Sequence, residues 1–135
     1  MYTPDGYGTL FPYLFVKEAK KYLTFLKDAF GAEILGITEG PPGMVANARI
    51  RIGTTSFMLS DAGERFKPSV SSFYLYVEDA DAAFKKALSL GCEKIFDPMD
   101  MPYGDRQGGV VDPAGNIWWI STRLVHEPYD DTRGG

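Results

Sequence analysis

A chain of 135 residues, 44% hydrophobic and 24% charged, is long enough to bury one sizeable core without disulfide or metal staples. Its net charge of −4, with Lys and Arg scattered along the chain, argues against nucleic acid as a partner, because phosphate binding needs a basic field. No stretch approaches the roughly 18 apolar residues of a membrane span. No charged n-region followed by an apolar h-region opens the chain either, so neither a membrane partner nor secretion is expected.

Cys92 is the only cysteine and His126 the only histidine. A lone cysteine excludes an internal disulfide and fits a reducing, cytoplasmic setting. It reads as a packed structural residue or, alternatively, a reactive thiol. One imidazole and one thiol cannot build a typical zinc, iron, nickel or copper site. A carboxylate-only site lacks any EF-hand spacing. No metal and no cofactor are expected on these grounds.

In chain order, residues 10–16 (LFPYLFV) are apolar or aromatic and read as a strand. Ala19, Tyr22, Leu23, Leu26, Ala29 and Phe30 then recur at helical spacing, and Gly31 stands where a helix stops. A short strand at 34–38 precedes the turn EGPPG. Residues 45–52 alternate as a half-buried strand, Gly53-Thr54 turns it, and TSFMLSD returns antiparallel. The polar stretch 62–71 suits a linker. After it the pattern starts again, with Tyr13, Leu14, Phe15 and Val16 answered by Tyr74, Leu75, Tyr76 and Val77 at an offset of 61. Gly31 and Glu33 answer Gly91 and Glu93 at an offset of 60. Asp79 is the expected N-cap of the second helix, whose buried stripe is Ala80, Ala83, Phe84 and Ala87. KIFDPMDM, DRQGGVVD and NIWWIST supply three more strands, with Pro113 to Asn116 turning the last pair.

The chain is thus an α+β domain spanning 1–135, made of two βαβββ modules at 9–61 and 72–122 and a polar C-terminal tail at 123–135. The two modules are expected to pair as an eight-stranded incomplete barrel around a central cleft. Strand alternation puts Leu14, Val16, Leu75 and Val77 under the helices. The opposite side carries Phe11, Tyr13 and Phe15, answered by Ser72, Tyr74 and Tyr76. Rings with polar tips suit a pocket wall, although core tyrosines with satisfied hydroxyls give the same pattern. Matching Phe57 to Trp119 extends this side to the last strands, with Trp118 packing toward the helix. The expected ligand-binding set is Tyr13, Phe15, Phe57, Tyr74, Tyr76, Tyr103, Arg106 and Trp119. Arg106 either clamps an anionic group of a ligand or pairs with Asp105 or Asp112 at the hairpin. Glu39, Asp61 and Glu64 read as solvated, DPAGN reads as turn chemistry, and no nucleophile–base pair stands out, so no catalytic residue is assigned.

FVKEAKKYLTFLKDAFGAEIL, ARIRIGTTSFMLSD and YGDRQGGVVDPAGNIWWIST together resemble the vicinal oxygen chelate superfamily of glyoxalase I, bleomycin-resistance proteins and extradiol dioxygenases, and its PhnB-like branch in particular. The resemblance covers residues 9–122. It implies the paired βαβββ fold and a homodimer. It also implies a divalent metal held by one His, Gln or Glu from each of four strands. Those positions fall near Phe11, Phe57, Ser72 and Trp119, none of which is a metal ligand, and Asn47 and Asn116 stand where many relatives of the branch have His. The resemblance therefore points to a metal-free, resistance-type protein that binds a small, partly aromatic molecule in the cleft between its modules. A metal-dependent lyase or isomerase with non-standard ligands is the enzymatic alternative, and a non-catalytic scaffold dimer is the third.

Overall fold

The computed structural model describes residues 2–129. Within them the expected elements form in the expected order: β1 (Tyr13–Val16), α1 (Ala19–Phe30), β2 (Glu33–Glu39), β3 (Val45–Ile52) and β4 (Thr55–Asp61), then β5 (Ser72–Tyr76), α2 (Ala80–Ser89), β6 (Glu93–Asp100), β7 (Asp105–Val111) and β8 (Ile117–Arg123). The chain divides between Ser69 and Val70 into two compact units, each holding one βαβββ module. The strands hydrogen-bond as two four-stranded sheets, ordered β1-β4-β3-β2 and β5-β8-β7-β6. In both, the first strand runs parallel to the last and the other pairs are antiparallel. The fold is therefore α+β, with a mixed sheet in each unit. No helix among the described residues is long and apolar enough to cross a membrane.

Each sheet has one apolar face, because its strands alternate and its helix carries a matching stripe. In the first unit, buried Leu14, Val16, Ala48, Ile50, Phe57 and Leu59 lie in the same core as Ala19, Tyr22, Leu23, Leu26 and Ala29 of α1. In the second, Trp118, Ile120 and Val110 share the core with Ala80, Phe84 and Ala87 of α2. Full burial of one such large apolar side chain stabilises by about 1.5–3 kcal/mol. The consecutive glycines of β7 serve this packing. A Cβ on Gly108 would lie 2.7 Å from the Phe84 ring, and one on Gly109 2.9 Å from the Phe96 ring. One aromatic thus sits flush against each face of the strand at this point.

The helices start in the same way in both units. Ala19 N–H donates to Asp61 Oδ1 at 2.9 Å, and Ala80 N–H donates to Thr122 Oγ1 at 2.8 Å. Asp61 and Thr122 end the last strand of their units, so each helix start is satisfied by the closing strand. Asp61 is not merely solvated, as its sequence position implies, since its other oxygen accepts from Val45 N–H at 2.6 Å. Asp79 caps α2 as expected, accepting from Ala82 N–H at 3.1 Å. Gly31 terminates α1 with φ of 67°, a left-handed conformation that glycine adopts without steric cost.

The stretch 62–71 is more than a spacer. Phe66 stacks on Phe15 with centroids 5.1 Å apart, and Ser69 N–H donates to Phe15 O at 3.2 Å.

Candidate functional site

Register decides which face each candidate occupies. In the first unit Tyr13 pairs with Met58 and Leu14 with Leu59. In the second, Tyr74 pairs with Trp119 and Leu75 with Ile120. Directly opposed residues share a face, so Met58 is the counterpart of Trp119 and Phe57 that of Trp118. Phe57, expected on the ring-lined side, is therefore on the helix side, 4% exposed. The offset of 61 that relates β1 to β5 also relates β4 to β8; matching Phe57 to Trp119 slipped it by one residue, and one residue reverses the face.

Arg106 is corrected too. It lies on the helix side of β7, where its guanidinium donates to both oxygens of Asp81 at 2.7 and 3.0 Å and to Asp100 at 3.0 Å. Asp81 and then Asp100 raise the guanidinium's affinity for its proton, while the Arg106 hydrogen bonds hold the Asp81 carboxyl below its ordinary range. The pairing expected with Asp105 or Asp112 is thus made with Asp81 and Asp100 instead.

The remaining candidates lie on the other face of their sheets. In the first unit Tyr13 and Phe15 are adjacent, with centroids 5.3 Å apart, and the Tyr13 hydroxyl donates to Ala46 O at 3.4 Å. In the second unit Trp119 donates its indole N–H to Ser72 Oγ at 2.7 Å and stacks on Phe96 at 6.2 Å. Trp118, on the helix side, donates to Asp112 Oδ2 at 2.8 Å. Asp112 Oδ1 also accepts the N–H groups of Ala114 and Asn116 at 2.8 and 3.0 Å, which makes DPAGN the turn chemistry that its residues indicate.

A dense polar arrangement gathers on Asp105, a carboxylate with no solvent exposure at the start of β7. Its Oδ2 accepts the hydroxyls of Tyr74, of Tyr76 at 2.9 Å and of Tyr129 at 2.9 Å. Its Oδ1 lies 3.1 Å from the Arg123 guanidinium. Beside it the Tyr103 hydroxyl donates to Gln107 Oε1 at 2.6 Å, and Gln107 Nε2 donates to Ser121 Oγ at 2.8 Å. A buried charge persists only when paired and hydrogen-bonded, and Asp105 has both kinds of partner. Burial, and then the carboxylate that accepts its hydrogen bond, push the Tyr74 hydroxyl far above the ordinary phenol range. Burial and the Asp105 charge push Tyr103 up as well. These phenols stay protonated at neutral pH and are not general bases.

Tyr74, Tyr76, Tyr103 and Tyr129 together line a concavity of about 460 Å³. Three of the four are expected site residues; Trp119 is not among the lining residues, and Tyr13 and Phe15 belong to the first unit. Tyr129 lies in the stretch that reads as a polar tail. Arg123 anchors that stretch: its Nη2 donates to Glu127 O at 2.7 Å, and its Cζ sits 4.4 Å from the Tyr129 ring centroid. Tyr129, Gln107 and Arg123 were missed in the sequence, and Asp105 was seen only as a partner for Arg106. The close YGDRQ spacing, with an acid entering a strand beside a Tyr, is the one signal that could have drawn attention to them.

The positions at which the resemblance places metal ligands hold no such group. Phe11, Phe57 and Trp119 have no coordinating atom suited to a divalent ion, and the Ser72 hydroxyl accepts from Trp119. Among the described residues no three His, Cys, Asp or Glu side chains gather so as to hold a metal ion. Cys92 is buried, and burial followed by the nearby Asp112 charge pushes its thiol up to about 12, which suits the structural reading.

Two βαβββ units, each with a four-stranded mixed sheet, define the class of protein. Residues 8–120 match the model of the Glyoxalase/Bleomycin resistance protein/Dioxygenase superfamily, and the chain belongs to that superfamily. An uncharacterized protein of Mycobacterium bovis is 34% identical over 120 residues, covering 81% of this chain and 79% of that protein. Among solved structures, the PhnB protein from Bacillus cereus superposes with a TM-score of 0.69 at 20% identity, over 85% of this chain and 99% of that one. TnmS3, an antibiotic binding protein from Streptomyces sp. CB03234, does so with a TM-score of 0.65 at 22% identity, over 87% and 99%.

Proposed function

We propose that the protein binds a small, partly aromatic molecule through ring faces rather than through a metal, as a binding or sequestering protein. The observation that carries this reading is the set of four tyrosines around the concavity, with every hydroxyl donating inward to Asp105 or Gln107. Rings held at their polar ends are preorganised, so little side-chain freedom remains to be lost on binding. Each ring stacked on a flat ligand contributes roughly 0.5–1.5 kcal/mol beyond its area. Several such contacts support affinity in about the micromolar range. That TnmS3, of the same fold, is an antibiotic binding protein supports the class of function. Tyr13 and Phe15 of the first unit, and Trp119 beside Phe96, offer further ring surface to the same ligand class.

Titration with a panel of planar aromatic compounds, followed by intrinsic fluorescence, tests the proposal. Saturable binding that weakens several-fold in Tyr76→Ala is expected. No saturable binding across the panel, or binding unchanged in that variant, would overturn it.

Homodimer formation belongs to the same proposal, supported by the sheet edges at β2 and β6 and by the resemblance. Sedimentation at micromolar concentration should give twice the chain mass of 15.0 kDa; a monomer would count against it.

A further inference from the structure

Resting on that reading and sharpening it, we propose that the tyrosine concavity of the second unit recognises an organic cation, a weakly hydrated tertiary or quaternary ammonium group carried by the ligand. The face of a phenol ring is the negative end of its quadrupole, and several such faces around one space form a cation-binding cage. Here four tyrosines line about 460 Å³, with no Lys, Arg or His among the described lining residues. Three of these phenols donate to a single carboxylate, Asp105, and donation to an anion makes a ring richer in electron density.

The cluster already holds one cation in this way. The Arg123 guanidinium lies 4.4 Å from the Tyr129 centroid, within the roughly 6 Å over which a cation is attracted to a ring face. Arg123 does not make the pocket positive, because Asp105 balances it at 3.1 Å. Hydration selects the kind of cation. All four hydroxyls donate to protein acceptors, so none offers its proton to the ligand. A primary ammonium must replace several strong hydrogen bonds to water on entering a ring-lined space, whereas a methylated ammonium has little hydration to lose.

The experiment compares phenyltrimethylammonium with its neutral isostere tert-butylbenzene on the full chain, by ligand-observed NMR titration at low and at 0.5 M salt. The cation is expected to bind at least tenfold more tightly than the isostere at both salt concentrations. That preference should fall several-fold in Tyr76→Leu and in Tyr129→Leu, and persist in Tyr76→Phe, which keeps the ring. If both compounds bind equally, or the neutral one better, the cation inference is overturned while aromatic binding stands. If neither binds, both readings fall. A preference that disappears at 0.5 M salt would belong to the chain's overall charge of −4 and would overturn the inference, as would one that Tyr76→Leu leaves intact. The comparison on the unsubstituted chain decides the matter even where a variant fails to fold.

Discussion

Trp118 donates its indole N–H to the buried carboxylate of Asp112, six residues earlier, while its ring packs 4.5 Å from that of Phe73. Its neighbour Trp119 bonds instead to the exposed Ser72 and keeps partial exposure. The two tryptophans therefore have different costs of removal. Trp118→Ala should destabilise by about 3–5 kcal/mol, and Trp119→Ala by less than half as much. Denaturant unfolding of the two variants measures the difference; equal losses would contradict the face assignment.

The same comparison applies to the pair that the repeat alone misassigned. Phe57→Ala should cost about 3–5 kcal/mol, since its ring is buried on the helix side. Met58→Ala, on the face shared with Tyr13, should cost less and leave the melting temperature nearly unchanged. A larger loss for Met58 would place the register of β4 one residue away.

These pairs show what could be read from the sequence. The helical spacing of α1, the alternation of β3 and the 61-residue echo of YLFV in YLYV were legible because each is local or repeats without interruption. The face of β4 was not. The offset drops to 60 across the helix and returns to 61 in the sheet, and likeness of ring type between Phe57 and Trp119 drew the match one position off. The Asp105 cluster was hidden for a different reason. Its phenols lie 31, 29 and 24 positions away, and strand alternation carries no information about which distant segments meet at one carboxylate. Arg106 was likewise misread because one partner, Asp81, lies on a helix 25 residues earlier, whereas Asp105 and Asp112 hold other groups.

Alkaline pH should reveal the Tyr74 hydroxyl. Its folded-state affinity for the proton is raised above that of an ordinary phenol, which ionises near 10.0, so the folded chain keeps this hydroxyl neutral where the unfolded chain ionises it. The stabilisation is complete below about pH 10 and is lost as pH rises beyond it. Tyr74→Phe should flatten the fall in melting temperature between roughly pH 10 and 11.5. An unchanged slope would remove Tyr74 as its source.

Cys92 should resist alkylation. With its thiol pushed up to about 12 and its side chain buried, iodoacetamide at pH 8 should label the native protein at least a hundredfold more slowly than the urea-unfolded chain. Comparable rates would make it a reactive surface thiol instead.

The bonds from Asp61 to the start of α1 and from Thr122 to the start of α2 each span 42 residues. During synthesis, therefore, α1, whose N-cap residue makes no side-chain bond, waits for the strand that completes its own unit, whereas α2 already has Asp79 as a local cap. Loop closure precedes the reward, which ties helix and sheet into one cooperative step and slows folding relative to a locally capped helix. Because neither bond crosses the division at Ser69 and Val70, the first half can complete this step while the second is still being made.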